Sequence, residues 1–209
     1  MSKFAGARFS NLFPTPFMAL VWPDTASLND ELRDRILAEA ALAAGVAKTN
    51  VGGWHSEPGQ LEFCGNAGRS LIRLMYEMAD ETTRRVLAEQ AQPPRPLRWT
   101  LHAWANVNGN GDFNSTHTHP GATWSGTYYI DEGDPPADAV YGTALQLFDP
   151  CQGRTNGFLP SFTPPHILVR PQPGLMVLFP SYVPHTVFPH RGSRPRISIA
   201  FNLRREPYP

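Results

Sequence analysis

From Leu97 the hydrophobic pattern repeats every second residue, and this alternation limits what the second half of the chain can become. In LRWTLHAWANV, residues Leu97, Trp99, Leu101, Ala103, Ala105 and Val107 fall on one side of an extended strand. Arg98, Thr100, His102, Trp104 and Asn106 fall on the other. Further short apolar runs follow at 113–119, 124–130, 144–148, 166–169, 175–179, 185–188 and 196–203. Gly or Pro turns separate most of these runs, and the 22 prolines and 17 glycines lie mainly after Gln92. Eight short strands punctuated in this way predict a jelly roll rather than disorder.

The first half carries helical periodicity. Ser27 is placed to cap a helix over 28–44, in which Leu28, Leu32, Ile36 and Ala40 form one stripe and Gly45 is the stop. A second helix is predicted from Asn66 or Ala67 to Glu89, burying Leu71, Leu74, Met75, Met78 and Val86, with Pro93-Pro94 beyond it. The segment between, with Gly52-Gly53-Trp54-His55, reads as a long loop or lid. The expected fold class is mainly β with packed helices. It forms one domain over 1–209, with a helical support over 1–95 and a β core over 96–205.

Composition narrows the function. The 18 basic and 18 acidic residues balance, which argues against a nucleic-acid groove or an anionic membrane surface. Lys3 and Lys48 are the only lysines, so Schiff-base chemistry has little support. No apolar run has the length of a membrane span, and no charged-then-apolar leader opens the chain, so the expected location is the cytoplasm. Cys64 and Cys151 are read as free thiols. GNG at 109–111 is a turn without the following helix that a nucleotide fingerprint needs. A homodimer through an exposed sheet or the N-terminal segment is compatible with the sequence.

Among seven histidines, His117 and His119 stand two apart in NSTHTHP. Strand geometry sends i and i+2 to one face, as two ligands of one metal require. A third ligand must come from another strand, and His185, after PGLMVLFPSYVP, is the leading candidate. Arg196 and Ser198 alternate with Ile197 and Ile199, so both polar side chains share a face. A guanidinium turned into a barrel needs an anion, and Arg with a nearby hydroxyl suits a carboxylate. That carboxylate is either internal or external, and the scarcity of acids in the strand half favours an external one. Trp54, His55, Trp104, Trp124 and Tyr182 are candidates for an aromatic entrance, each singly more at home in the core.

Five segments then carry a resemblance: LFPTPF, HAWANVNGNGDFNSTHTHP, WSGTYYI, PGLMVLFPSYVPHTV and RPRISIAFN. In this order, from residue 12 to 202, they resemble the Fe(II)- and 2-oxoglutarate-dependent oxygenases, in a bacterial and phage branch related to prolyl hydroxylases. The resemblance implies a double-stranded β-helix. It implies iron on His117 and His185, and 2-oxoglutarate on Arg196 with Ser198. It also implies Asn106, with Tyr129 as a weaker candidate, beside the cosubstrate. The other reaction partners would be molecular oxygen and a peptide or small-molecule substrate. His119 stands where the family's pattern has a carboxylate. Three readings follow: His119 is the third ligand, as its spacing favours, or water is, or another acid such as Asp112 reaches in. Two rival functions remain: a cupin-like metalloenzyme that does not use 2-oxoglutarate, and a non-catalytic jelly roll with a structural metal such as zinc.

Overall fold

A computed structural model describes residues 5, 8, 13–137, 141–151 and 166–206; Leu12 of LFPTPF and Asp138 lie outside this set. The chain order is β1 (Met18–Val21), α1 (Ala26–Leu42), β2 (Asn50–Val51), β3 (Trp54–His55) and α2 (Gly65–Glu89). Then come β4 (Trp99–Asn108), β5 (Phe113–His117), β6 (Trp124–Asp131), β7 (Leu145–Phe148), β8 (His166–Val169), β9 (Leu175–Pro180), β10 (His185–Val187) and β11 (Arg196–Arg205).

Two antiparallel sheets form. The larger runs β1-β9-β6-β11-β4-β3 and the smaller β2-β5-β10-β7-β8. The period-two alternation does what the sequence requires of it. Leu101, Ala103 and Ala105 of β4 are buried with Ile197, Ile199, Phe201 and Leu203 of β11, on the face that packs with Leu32 and Ile36 of α1 and Leu71, Met75 and Met78 of α2. Each leucine, isoleucine, methionine or phenylalanine side chain removed from water in this way contributes about 1.5–3 kcal/mol. The opposite face of the larger sheet looks toward the smaller sheet, and residues of both line the cavity between them. Tyr128 and Tyr129 separate as strand geometry demands. The Tyr128 hydroxyl lies on the helix side and donates to Asn29 Oδ1 at 2.7 Å, while Tyr129 faces the cavity.

Several sequence expectations change. The first helix begins at Ala26 rather than Leu28, with Thr25 rather than Ser27 at its N-terminal boundary, and no side chain caps it. It ends at Leu42 because Ala43 is extended and its carbonyl accepts the Trp54 indole N–H at 2.8 Å, a tertiary contact invisible to local periodicity. The expected loop or lid instead holds β2 and β3, which pair with β5 and β4. The segment before residue 95 is therefore not purely helical, since it also supplies β1 to the larger sheet. Trp54 and Trp124 belong to the helix side, not to an entrance; the Trp124 indole donates to Thr83 Oγ1 at 2.9 Å. Cys64 and Cys151 are free, and burial pushes the Cys64 thiol up to about 12, which keeps it protonated. No helix among the described residues is long and apolar enough to cross a membrane.

Gly126 shows how tightly β6 and β11 are fitted. A Cβ at this position would stand 2.4 Å from Phe201 Cζ and 2.5 Å from the Val177 carbonyl oxygen. The carbonyl belongs to a paired strand and cannot yield, so Gly126→Ala is expected to lose about 1–3 kcal/mol through overpacking. Thermal unfolding should show a lower midpoint, by about 2–4 °C for each kcal/mol lost in a chain of this size.

Candidate metal centre

His117 closes β5 and His185 opens β10, and the two residues are register partners across that strand pair. Their ring centroids are 4.3 Å apart. His119 lies two residues past the end of β5, so shared strand geometry does not place it. Its N–H donates instead to the Ser181 carbonyl at 3.0 Å, and the Ser181 hydroxyl holds the Ala122 carbonyl at 2.6 Å. This clasp brings the His119 ring 4.8 Å from His117 and 5.1 Å from His185. One potential ligand atom from each of the three lies within 4.8 Å of the others.

The imidazoles are prepared for a metal. His117 Nδ1 lies 2.7 Å from the Ser115 carbonyl and His185 Nδ1 lies 2.9 Å from the Val183 carbonyl. A carbonyl only accepts, so Nδ1 carries the proton in both rings and Nε2 keeps its lone pair for a ligand bond. Burial, aided for His119 and His185 by the neighbouring imidazoles, lowers all three below the ordinary histidine value: His119 to about 4, His185 to about 3, and His117 in the same direction. All three are therefore neutral near pH 7, the protonation state a metal needs. Asp112, the acid nearest in sequence, does not join them. Its Oδ2 accepts the Gly109 N–H at 2.7 Å, and its carboxylate packs against Gly52. Among the described residues the group of potential ligands consists of His117, His119 and His185.

The same cavity is lined by Asn106, Tyr129, Arg196 and Ser198. The first, second and fourth of these sit in one row across the sheet, because Ser198 is the register partner of Asn106 on one side and Tyr129 on the other. Arg196 is 2% exposed and forms no ion pair with a carboxylate among the described residues. Its Nη2 donates to Asn108 Oδ1 at 2.8 Å and its Nη1 to the Thr143 carbonyl at 3.2 Å, while Nε has no partner. Asn106 Oδ1 is also buried without a partner. The orphaned Arg196 Nε–H is a donor and fits a carboxylate, whereas Asn106 Oδ1 is an acceptor and fits a donor such as a hydroxyl or water; each would otherwise carry an uncompensated desolvation cost of about 1–3 kcal/mol. Burial pushes the Tyr129 hydroxyl up to about 12, so it is a neutral phenol able to donate or accept.

Sequence reasoning missed the brace behind Arg196. Asn108 is the register partner of Arg196. Thr143 holds a backbone φ of 71°, and its hydroxyl hydrogen-bonds Nδ1 of the buried His190, whose Nε2 lies 2.7 Å from the Arg194 carbonyl. A signal for Asn108 existed, since it continues the inward face of β4 after Asn106. Thr143 and His190 offered none. Of the aromatic candidates, Trp104 lines the cavity next to His119 at 5.8 Å, and His55 stacks with Trp104 at 5.5 Å. Tyr182 is 56% exposed and does not line the cavity.

Residues 102–202 match the family model described as "Putative 2OG-Fe(II) oxygenase". No curated protein matches the chain. Among solved structures, the chain is similar to a Pseudomonas putida prolyl-4-hydroxylase, at 23% identity and a TM-score of 0.61, covering 92% of this chain and 94% of that one. It is similar to a Trichoplax adhaerens prolyl hydroxylase in complex with a hypoxia-inducible-factor peptide fragment, at 16% identity and TM-score 0.59, covering 90% and 83%. It is also similar to the non-heme alpha-ketoglutarate-dependent carbocyclase SnoK of nogalamycin biosynthesis, at 13% identity and TM-score 0.61, covering 90% and 79%. These likenesses carry the fold, a double-stranded β-helix, and the family match carries Fe(II) and 2-oxoglutarate. Over residues 102–202 the β core of this chain matches the Fe(II)- and 2-oxoglutarate-dependent oxygenase family model, and the chain as a whole shares the fold of the solved prolyl hydroxylases.

Proposed function

We propose that His117, His119 and His185 hold the iron as a neutral three-nitrogen face, and that Arg196 receives the distal carboxylate of 2-oxoglutarate with Ser198, Asn106 and Tyr129 around it. The observation that carries this reading is the buried Arg196, which has no carboxylate partner among the described residues and opens on the cavity of the three histidines. When bound, iron and 2-oxoglutarate supply oxygen activation coupled to oxidative decarboxylation, and the reaction proposed here is hydroxylation of a C–H bond. The chain's own residues do the positioning. Asn108 and the Thr143 carbonyl aim the guanidinium, the Ser115 and Val183 carbonyls orient two imidazoles, and Phe179 walls off His185 with ring centroids 5.0 Å apart. Preorganisation of this kind reduces the cost of ordering the site when its ligands arrive. The named prolyl hydroxylases make a peptide prolyl side chain the first substrate class to test, with small molecules second.

The rival readings fit less well. A structural zinc site is closed by four ligands, and three converge here among the described residues. A metalloenzyme without 2-oxoglutarate would leave the Arg196 guanidinium buried with no anion to hold.

Three outcomes test this account. Anaerobic addition of Fe(II) and then 2-oxoglutarate should raise a visible metal-to-ligand charge-transfer band. Arg196→Ala should weaken 2-oxoglutarate at least tenfold in that titration while leaving metal affinity within about threefold; tight metal binding with no band would refute the oxygenase site. His119→Ala should lower Fe(II) affinity by at least tenfold in competition with a chelating dye, and unchanged affinity would remove His119 from the ligand set. The third outcome concerns pH. The folded-state values of the three histidines lie below the unfolded value near 6.5, so the unfolded chain binds more protons between the two. The metal-free protein should therefore keep full stability above about pH 6.5 and lose it progressively as pH falls toward 4, as denaturant titrations would show. The His119→Ala variant should lose less over that window.

A further inference from the structure

The cavity has no acid of its own. None of its lining side chains among the described residues is Asp or Glu. Among the residues outside the described set, Asp138 is the only acidic side chain in the sequence. The nearby acids are otherwise engaged. Asp112 caps the Gly109 turn, Asp131 accepts the Gly133 N–H and pairs with Arg194, and Asp134 takes the Ser193 hydroxyl and the Arg194 N–H. With three neutral imidazoles as the metal face, a divalent ion and the Arg196 guanidinium exceed the two carboxylates of 2-oxoglutarate by one positive charge. A buried, unbalanced charge is costly, and nothing in this lining balances it.

The lining also holds two unlike groups of side chains. At the Arg196 end, Asn108 and Thr143 close over the guanidinium. Beside His119, the half-buried Trp104 ring lies 5.8 Å away and is itself stacked with the His55 ring, inclined by only 12°. The remaining polar lining is neutral: Thr49, Asn114, Ser125 and Thr127.

We propose that the substrate of this site carries a carboxylate, which enters on the His119–Trp104 flank beside the metal and balances the excess charge. A monoanion matches the ledger, whereas a phosphate dianion would overshoot it. This rests on the reading of the metal and cosubstrate site given above. The specificity follows from His119: an acid at that position would supply the missing charge from the protein and remove the demand on the substrate.

The test uses the anaerobic Fe(II)·2-oxoglutarate complex of the full chain at constant ionic strength, with acetate and the isosteric neutral acetamide as probes. Perturbation of the charge-transfer band is followed in each titration. Acetate should bind saturably, at least tenfold tighter than acetamide, without loss of band intensity. In His119→Asp the band should persist and the acetate preference should fall below threefold. Equal binding of the two probes overturns the proposal, and so does acetate that merely displaces 2-oxoglutarate and bleaches the band. A preference undiminished in an iron-loaded His119→Asp also overturns it. Should that variant fail to load iron, the wild-type ratio decides alone. A wild-type protein that shows no band at all overturns the proposal together with the reading beneath it, and the band distinguishes that failure from the others.

Discussion

Strand β11 hydrogen-bonds to β4 along its whole length and to β6 along most of it, and the molecule is organised around that doubly paired strand. Its odd-numbered positions, Ile197, Ile199, Phe201 and Leu203, are fully buried against the helices. Its even-numbered positions, Arg196, Ser198 and Ala200, face the cavity. A slip of one residue would send the arginine into the apolar core and the isoleucines into the polar site, so core and site specify the same register. The partners in each row inherit this order, which is why Asn108 meets Arg196 and why Asn106 and Tyr129 flank Ser198.

The three-histidine cluster is built differently, from strand ends and a turn. His117 and His185 meet because β5 and β10 pair at that point, and the carbonyls two residues before each ring fix its tautomer. His119 is held by a backbone bond to Ser181, within the turn that leads into His185. Burial keeps all three imidazoles neutral. The cavity thus combines three neutral imidazoles with one buried cation.

The larger sheet was legible because its strands are long and half-buried, so β4 and β11 show clean alternation. The pairing of His117 with His119 was read from i, i+2 strand geometry; the two rings do meet, but the turn beyond β5 brings them together rather than the strand. The two-residue strands β2 and β3 are too short for any period, and they exist because β5 and β4 offer edges to pair with. The end of α1 at Leu42 and the Thr143–His190 brace depend on contacts 11 and 47 residues apart in the chain, which leave no local pattern. Tyr128 and Tyr129, by contrast, were separable from alternation alone.

The most direct test of the central claim is a crystal structure of the protein grown anaerobically with Mn(II) and N-oxalylglycine, an unreactive analogue of 2-oxoglutarate. The expected result is one anomalous peak within bonding distance of His117, His119 and His185, with the distal carboxylate of the analogue on Arg196. A metal peak elsewhere, or an analogue bound away from Arg196, would contradict the account.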